Sequence, residues 1–212
     1  DQILYTPQTT DFSEGRTPDG AAALAVLPLP TPGVANPEAI TAAATTATLV
    51  PENAVKRVLV PTGPVNEAWR TEVSFNDSAW LSGTGGVGFE RGSGYESLFN
   101  INVRNAMDGR NTTCYIRIPF QVSAATLAGV TSVTLRVRYD DGFIAYLNGT
   151  EVQRALFNGT PAWNSAASAD HPDAAARELV NFDITGHIGR LRAGANLLAI
   201  WFAGRIVMHG QA

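Results

Sequence analysis

The stretch RVRYDDGFIAYLNGTEVQR, residues 136–154, decides how this chain reads. Its first residues close an alternating run, SVTLRVRY. Val133, Leu135, Val137 and Tyr139 fall on one side of that run, and Thr134, Arg136 and Arg138 on the other. A period of two marks a strand with one buried face. FIAYL follows, then Asn148-Gly149, then TEVQR. Asn-Gly between two strand-like runs predicts a hairpin, because both residues tolerate the positive φ of a type I′ turn. Asp140, Asp141 and Gly142 lie in between. Adjacent carboxylates can hold a metal, do acid–base chemistry or make a turn. Asp and Gly form turns for local reasons: a short acceptor side chain bonds nearby N–H groups, and Gly reaches conformations other residues avoid. Asp140 and Asp141 therefore read as a bend between two consecutive strands. Ca2+ bound through carboxylate and carbonyl oxygens is the alternative, with acid–base catalysis behind it.

Outward from this stretch the texture stays β. In CYIRIPFQV, residues 114–122, Cys114, Ile116, Ile118 and Phe120 share one face, and Tyr115, Arg117 and Pro119 the other. Pro119 cannot donate a ladder hydrogen bond, which points to an edge or bulge. ANLLAIWFA, residues 195–203, is a last strand, introduced by Gly194. Helix signals are sparse. Residues 173–182 could hold a helical turn, but ELVNFDI reads better as a strand. Short apolar runs separated by Gly, Asn and Asp from residue 54 onward predict an all-β sandwich or barrel. Residues 1–53 differ. PLPTPGVANPEA and TAAATTATLVP are rich in Pro, Ala and Thr, and read as loop and linker.

Composition narrows the classes. The chain has 212 residues, 45% hydrophobic and 16% charged, with a net charge of −4; this is a folded domain rather than a disordered one. Lys56 is the only lysine among 15 basic residues. Such a balance lacks the clustered basic surface that nucleic acid requires, and no apolar run reaches the ~18 residues of a membrane span. Cys114 is the only cysteine, so no intrachain disulfide forms; in mid-strand on the apolar face it reads as a small buried hydrophobe.

The blocks VLVPTG, FNDSAWLSGTGGVGFE, YIRIPFQV, VRYDDGFIAYLNGTEV, PAWNSAASADHPDAA and LRAGANLLAI occur in this order. Together they resemble the galactose-binding-like jelly-roll modules of large secreted bacterial proteins. EGRTPDG followed by LPLPTPGVANP resembles, more weakly, the last strands and exit of a lamin-tail domain. The resemblance implies a jelly-roll β-sandwich over residues 54–212, preceded by an extended segment, 1–53, with a lamin-tail-like remnant. It also implies a secreted or cell-surface setting and a longer parent chain with other domains. These modules continue past the NLLAI strand into a polar loop and a closing strand, whereas this chain reads WFAGRIVMHGQA.

Motifs for chemistry are scarce. RGSGYES lacks the spacing of a nucleophile elbow. GTGGVGFE opens no helix and so is not a phosphate loop. His171, His187 and His209 have no ligand spacing. A Ser168–His171–Asp173 relay is conceivable, but a triad is defined by geometry rather than proximity in sequence, and ADHPDAA reads as a loop with a local hydrogen-bond network. Among the tryptophans, Trp80 and Trp201 fit the core, where aromatics dominate the energetics. Trp163, in a loop, is the candidate for an exposed ring that could stack on a sugar. β-Sandwich strands are committed to packing face to face, so binding residues are expected on connecting loops. The candidates are Trp163, Asn164, Asp170 and His171, with Arg91, Tyr95 and Glu96 from the Gly-rich loop; the candidate metal ligands are Asp140 and Asp141, for Ca2+.

The expected function is that of a non-catalytic accessory module. Carbohydrate, as polysaccharide or glycan, is the ligand the resemblance implies. A hydrolase acting on a glycan or ester through residues 164–173 and the 140–141 pair is the alternative, and a structural spacer is the third reading.

Overall fold

A computed structural model describes residues 13–22, 24–27, 33–36, 46–94 and 96–211; the expected linker falls largely outside them. The chain divides into two compact units, Asp1–Ala47 and Thr48–Ala212. In chain order the elements are β1 Ser13–Arg16, β2 Leu24–Leu27, β3 Lys56–Leu59, α1 Ala68–Thr71, β4 Leu81–Gly83, β5 Val87–Gly88, β6 Ile101–Asn102 and α2 Arg104–Met107, followed by β7 Thr113–Val122, α3 Ala124–Ala128, β8 Thr134–Leu147, β9 Thr150–Ala155, α4 Asp173–Ala176, β10 Val180–Asp183 and β11 Gly194–Gln211. In the first unit, β1 and β2 pair antiparallel, and Asn36 Nδ2 donates to Arg16 O at 2.8 Å. The second unit begins six residues before residue 54, because Val50 is fully buried in its core.

The second unit is all-β and sandwich-like. Its main sheet is seven-stranded, ordered β10-β8-β11-β7-β3-β4, with β9 also paired to β8. β11 occupies one edge of β8 over most of its length. The other edge is shared: β10 takes Thr134–Val137, and β9 takes Phe143–Leu147. Apolar layers cover both faces. On one, Ile116, Ile118, Leu135, Val137, Phe143 and Ile200 pack with Val87, Phe89, Ile101 and Met107 from the segment crossing that face. On the other, Trp69, Tyr115, Ile144, Tyr146 and Trp201 pack with Phe157 and partly buried Trp80 and Trp163. Burying a Leu, Ile or Phe side chain fully is worth about 1.5–3 kcal/mol, so both layers contribute strongly.

Several expectations hold. Asn148 and Gly149 have φ of 49° and 86° between β8 and β9, as a type I′ hairpin requires. Pro119 lies where β3, which reaches only Tyr115–Arg117, no longer flanks β7, so the ladder it cannot complete is absent there. Residues 173–183 hold both the helical turn and the strand.

The bend at Asp140-Asp141 is corrected. β8 runs through both residues without a break. The irregularity lies in the partner strand: Ala203 pairs with Gly142 and Ile206 with Asp140, so β11 holds one residue more over that interval, a bulge. Gly142 is required for a different reason than turning. A Cβ there would stand 2.8 Å from Leu156 O and 3.1 Å from Ala155 O. The glycine lets the chain leaving β9 press against β8.

Candidate functional site

A cleft of about 810 Å3 opens beside the bulge at which β8 and β11 depart from regular pairing. Three segments wall it: Phe89 and Arg91, then Met107 with 109–112, then 164 with 166–170; Asp141 of β8 and Gly204 of β11 complete the lining. Phe89 and Met107 belong to the core, so the cleft has an apolar floor beneath a polar rim.

Each wall is fixed by bonds the sequence does not advertise. Arg91 Nε donates to Asp108 Oδ1 at 2.8 Å, and its Nη2 to the same oxygen. That hydrogen bond holds the Asp108 carboxyl below the usual carboxylate range. Arg104 Nε stands 3.4 Å from Asp108 Oδ2, and its Nη1 donates to Glu90 O at 3.1 Å. The loop after β9 is pinned along its length. Trp201 Nε1 donates to Ala162 O at 3.1 Å, Asn111 Nδ2 to Trp163 O at 3.1 Å, and Thr113 Oγ1 to Ser165 O at 2.7 Å. Ser168 N–H donates to Leu156 O at 2.8 Å, and His171 N–H to Asp141 Oδ1 at 3.0 Å. Leu156, at the loop's start, takes φ of 47°, a conformation costly for a branched residue and held here by its surroundings.

The cleft brings together Arg91, Asn164 and Asp170, with Asp141 from the acid pair. Asn164 and Asp170 are exposed. Other candidates lie elsewhere. Trp163 is half-buried against the second apolar layer rather than presented as an open ring, because Asn111 and the floor of that layer draw its loop inward. His171 stacks on Tyr139, with ring centroids 4.3 Å apart, and its Nδ1 lies 2.7 Å from Tyr139 O. It anchors the loop instead of facing the cleft, and no relay forms with Ser168, whose Oγ accepts from Asn158 N–H. Asp140 is only 6% exposed and is not among the residues that line the cleft. Glu96 Oε2 accepts from Gly94 N–H at 2.7 Å in the turn preceding a short 3-10 helix, Glu96–Leu98. Tyr95 and the His209 side chain fall outside what is described. Trp201, 2% exposed, is core as expected, and Trp80 is only partly buried.

Sequence reasoning missed the middle wall, Met107 through Thr112. MDGRNTT looks like an ordinary turn, and its one signal is Arg110, an exposed cation beside the positive-φ Gly109. Among the described residues no three of His, Cys, Asp and Glu converge as a metal group, and no helix is long and apolar enough to cross a membrane.

No protein-family model matches the chain, and no curated protein does. Solved structures do. A β-glucuronidase from Bifidobacterium dentium is 15% identical, with a TM-score of 0.43 over 75% of this chain and 21% of its own. A Bacteroides uniformis β-glucuronidase is 15% identical, with a TM-score of 0.44 over 78% and 18%. A glycosyl hydrolase family 2 member from Bacteroides cellulosilyticus is 13% identical, with a TM-score of 0.39 over 77% and 20%. The chain thus spans about a fifth of the length of each of these solved chains.

Proposed function

We propose that this chain is a non-catalytic glycan-binding module of a larger secreted or cell-surface protein, and that the 810 Å3 cleft is where the glycan binds. The observation that carries the reading is the make-up of a pre-formed cleft. Sugar hydroxyls are donors and acceptors at once. Asp141 and Asp170 offer acceptors, Arg91, Arg110 and Asn164 offer donors, and Phe89 and Met107 underlie them with apolar surface for C–H groups. The cleft is within the size range of small-ligand sites. Its walls are pinned before any ligand arrives, which lowers the ordering cost of binding. The lamin-tail likeness of residues 9–38 belongs to the same proposal: a linker from a neighbouring domain would present the module.

The test is an immobilised panel of gluco-, galacto-, manno-, xylo- and glucurono-saccharides probed with the full chain and with Asp170→Ala and Asn164→Ala. Binding that both substitutions weaken supports the reading. Binding indifferent to both places the site elsewhere.

One observation favours a second reading, hydrolysis. Two carboxylates, Asp141 and Asp170, line the same cleft, and a carboxylate pair is what glycoside cleavage uses. Turnover of chromogenic glycosides, abolished by Asp170→Asn, would establish it in place of the module. A Ca2+ ion on Asp140 and Asp141 is a separate proposal. Asp141 Oδ1 already accepts from His171 N–H, which leaves Oδ2 as the oxygen to offer the ion. A thermal midpoint lowered by EDTA and restored by Ca2+ would support it through ligand linkage.

A further inference from the structure

Two clefts of the second unit share their walls. The first takes Phe89 and Arg91 from one chain segment and residues 164 and 166–170 from another. A second, of about 380 Å3, takes Gly94, Ser97 and Leu98 from the continuation of the former segment. Ala174, Arg177 and Glu178 come from the continuation of the latter. Both segments therefore advance from the first cleft to the second in the same chain direction. Beneath the second cleft the walls are joined, because buried Ala176 packs with Leu98 and Phe99. The walls also approach each other at Gly94, where an added Cβ would stand 3.8 Å from Arg177 Nη1. Gly94 follows Arg91 by only three residues and Ala174 follows Asp170 by four, so the two clefts lie within about 11 and 14 Å of each other along the two segments.

Resting on the glycan-binding reading, we infer that the two clefts are successive subsites of one groove, and that the ligand is an oligosaccharide chain rather than a single sugar. The oligosaccharide lies between Phe89, Arg91, Gly94 and Ser97 on one side and residues 164, 166–170, 174 and 177–178 on the other. Asp170, Asn164 and Arg91 hold one unit, and Ser97, Arg177 and Glu178 hold a further one. Each cleft has the volume of a small-ligand site. A chain that fills both gains the second set of contacts without a second loss of translational freedom.

The experiment is calorimetric titration of the full chain with the monosaccharide, disaccharide and tetrasaccharide of each series in the panel above. The expected result is affinity rising by about tenfold or more from the monosaccharide to the tetrasaccharide of the bound series. Arg177→Ala is expected to remove most of that rise. Ser97→Leu fills the second cleft from an exposed position of the short 3-10 helix, and covers the case in which Arg177→Ala fails to fold. Asp170→Ala is expected to weaken every length. Equal affinity for monosaccharide and tetrasaccharide overturns the groove. So does a length dependence that survives both Arg177→Ala and Ser97→Leu. If binding is sensitive to Asp170 but flat with length, only the groove falls. If no saccharide of any length binds, the glycan-binding reading falls, and the groove with it.

Discussion

Gly142 and Gly149 lie in one strand–turn unit and are glycine for different reasons. Gly149 is a matter of φ: at 86°, beside Asn148 at 49°, it completes the turn. A Cβ there would also meet Thr71 Cγ2 at 2.9 Å. Gly149→Val therefore combines backbone conflict with crowding, and is expected to cost more than about 1 kcal/mol in urea denaturation. An unchanged midpoint would refute the assignment. Gly142 is a matter of distance to the carbonyls of residues 155 and 156. Asn-Gly was legible because its signal is local. Asp-Asp-Gly was misread because a turn preference is local too, and pairing with β11 and packing from β9 override it. Lys56 is another residue whose setting was hidden. It is 0% exposed, with Nζ donating to Glu52 O at 2.8 Å and Ala54 O at 3.1 Å. Burial lowers its pKa from 10.5 to about 8, against the opposing pull of Glu52. The folded state thus releases the proton before the unfolded chain does. Between about pH 8 and 10 the unfolded chain binds more protons, so stability rises with pH through this group. Below pH 8 both states are charged and the burial penalty is carried in full. The stability of the wild type relative to Lys56→Met should therefore increase from pH 7.5, where Lys56 is charged in both states, to pH 9.5, where only the unfolded chain still holds the proton. A flat difference would show that Lys56 does not titrate in this window.

At the scale of elements, β7 shows what alternation can and cannot reveal. Cys114, Ile116, Ile118 and Phe120 point into one apolar layer as their spacing predicts. The other face is buried too at Tyr115 and Arg117, with Arg117 1% exposed, and turns to solvent only at Pro119 and Gln121. An arginine in a strand suggests solvent. Here the segment after α1 folds over it, and Arg117 holds that segment down. Its Nε donates to Asp77 Oδ2 at 2.7 Å, its Nη2 to Glu72 O at 3.1 Å and Val73 O at 3.2 Å, and its Nη1 to Trp69 O. The guanidinium also lies 5.1 Å from the Phe75 ring centroid. Arg117→Met is expected to cost about 3 kcal/mol or more, because it takes the donor from three carbonyls and leaves Asp77 with only the 3.6 Å contact to Arg57 Nε. A loss under about 1 kcal/mol would mean that water replaces the side chain. The cleft was legible to a similar half-measure. Loop 164–170 and Arg91 announce themselves by composition. The Asn111, Thr112 and Thr113 side chains that position the loop look like any polar turn, since long-range hydrogen bonds leave no local trace in sequence.

For the whole molecule, sheet order sets cooperativity. β11, the last strand in the chain, lies between β7 and β8, and β7 is flanked on its other side by β3. The centre of the sheet therefore joins strands distant in sequence, and such pairings form and break together rather than locally. Cys114 reports on this directly. It is the only cysteine, fully buried, and opposite Phe202 across the β7–β11 ladder. Burial pushes its thiol well above the ordinary range, so the native state offers almost no thiolate to a reagent. The native protein is expected to resist thiol labelling. Along a urea series, the labelling rate should follow the population that opens globally, in step with the tryptophan fluorescence transition. Rapid labelling in the absence of denaturant would show that β7 and β11 separate while the rest of the unit stays folded, and the sheet would then not be the single cooperative body its strand order implies.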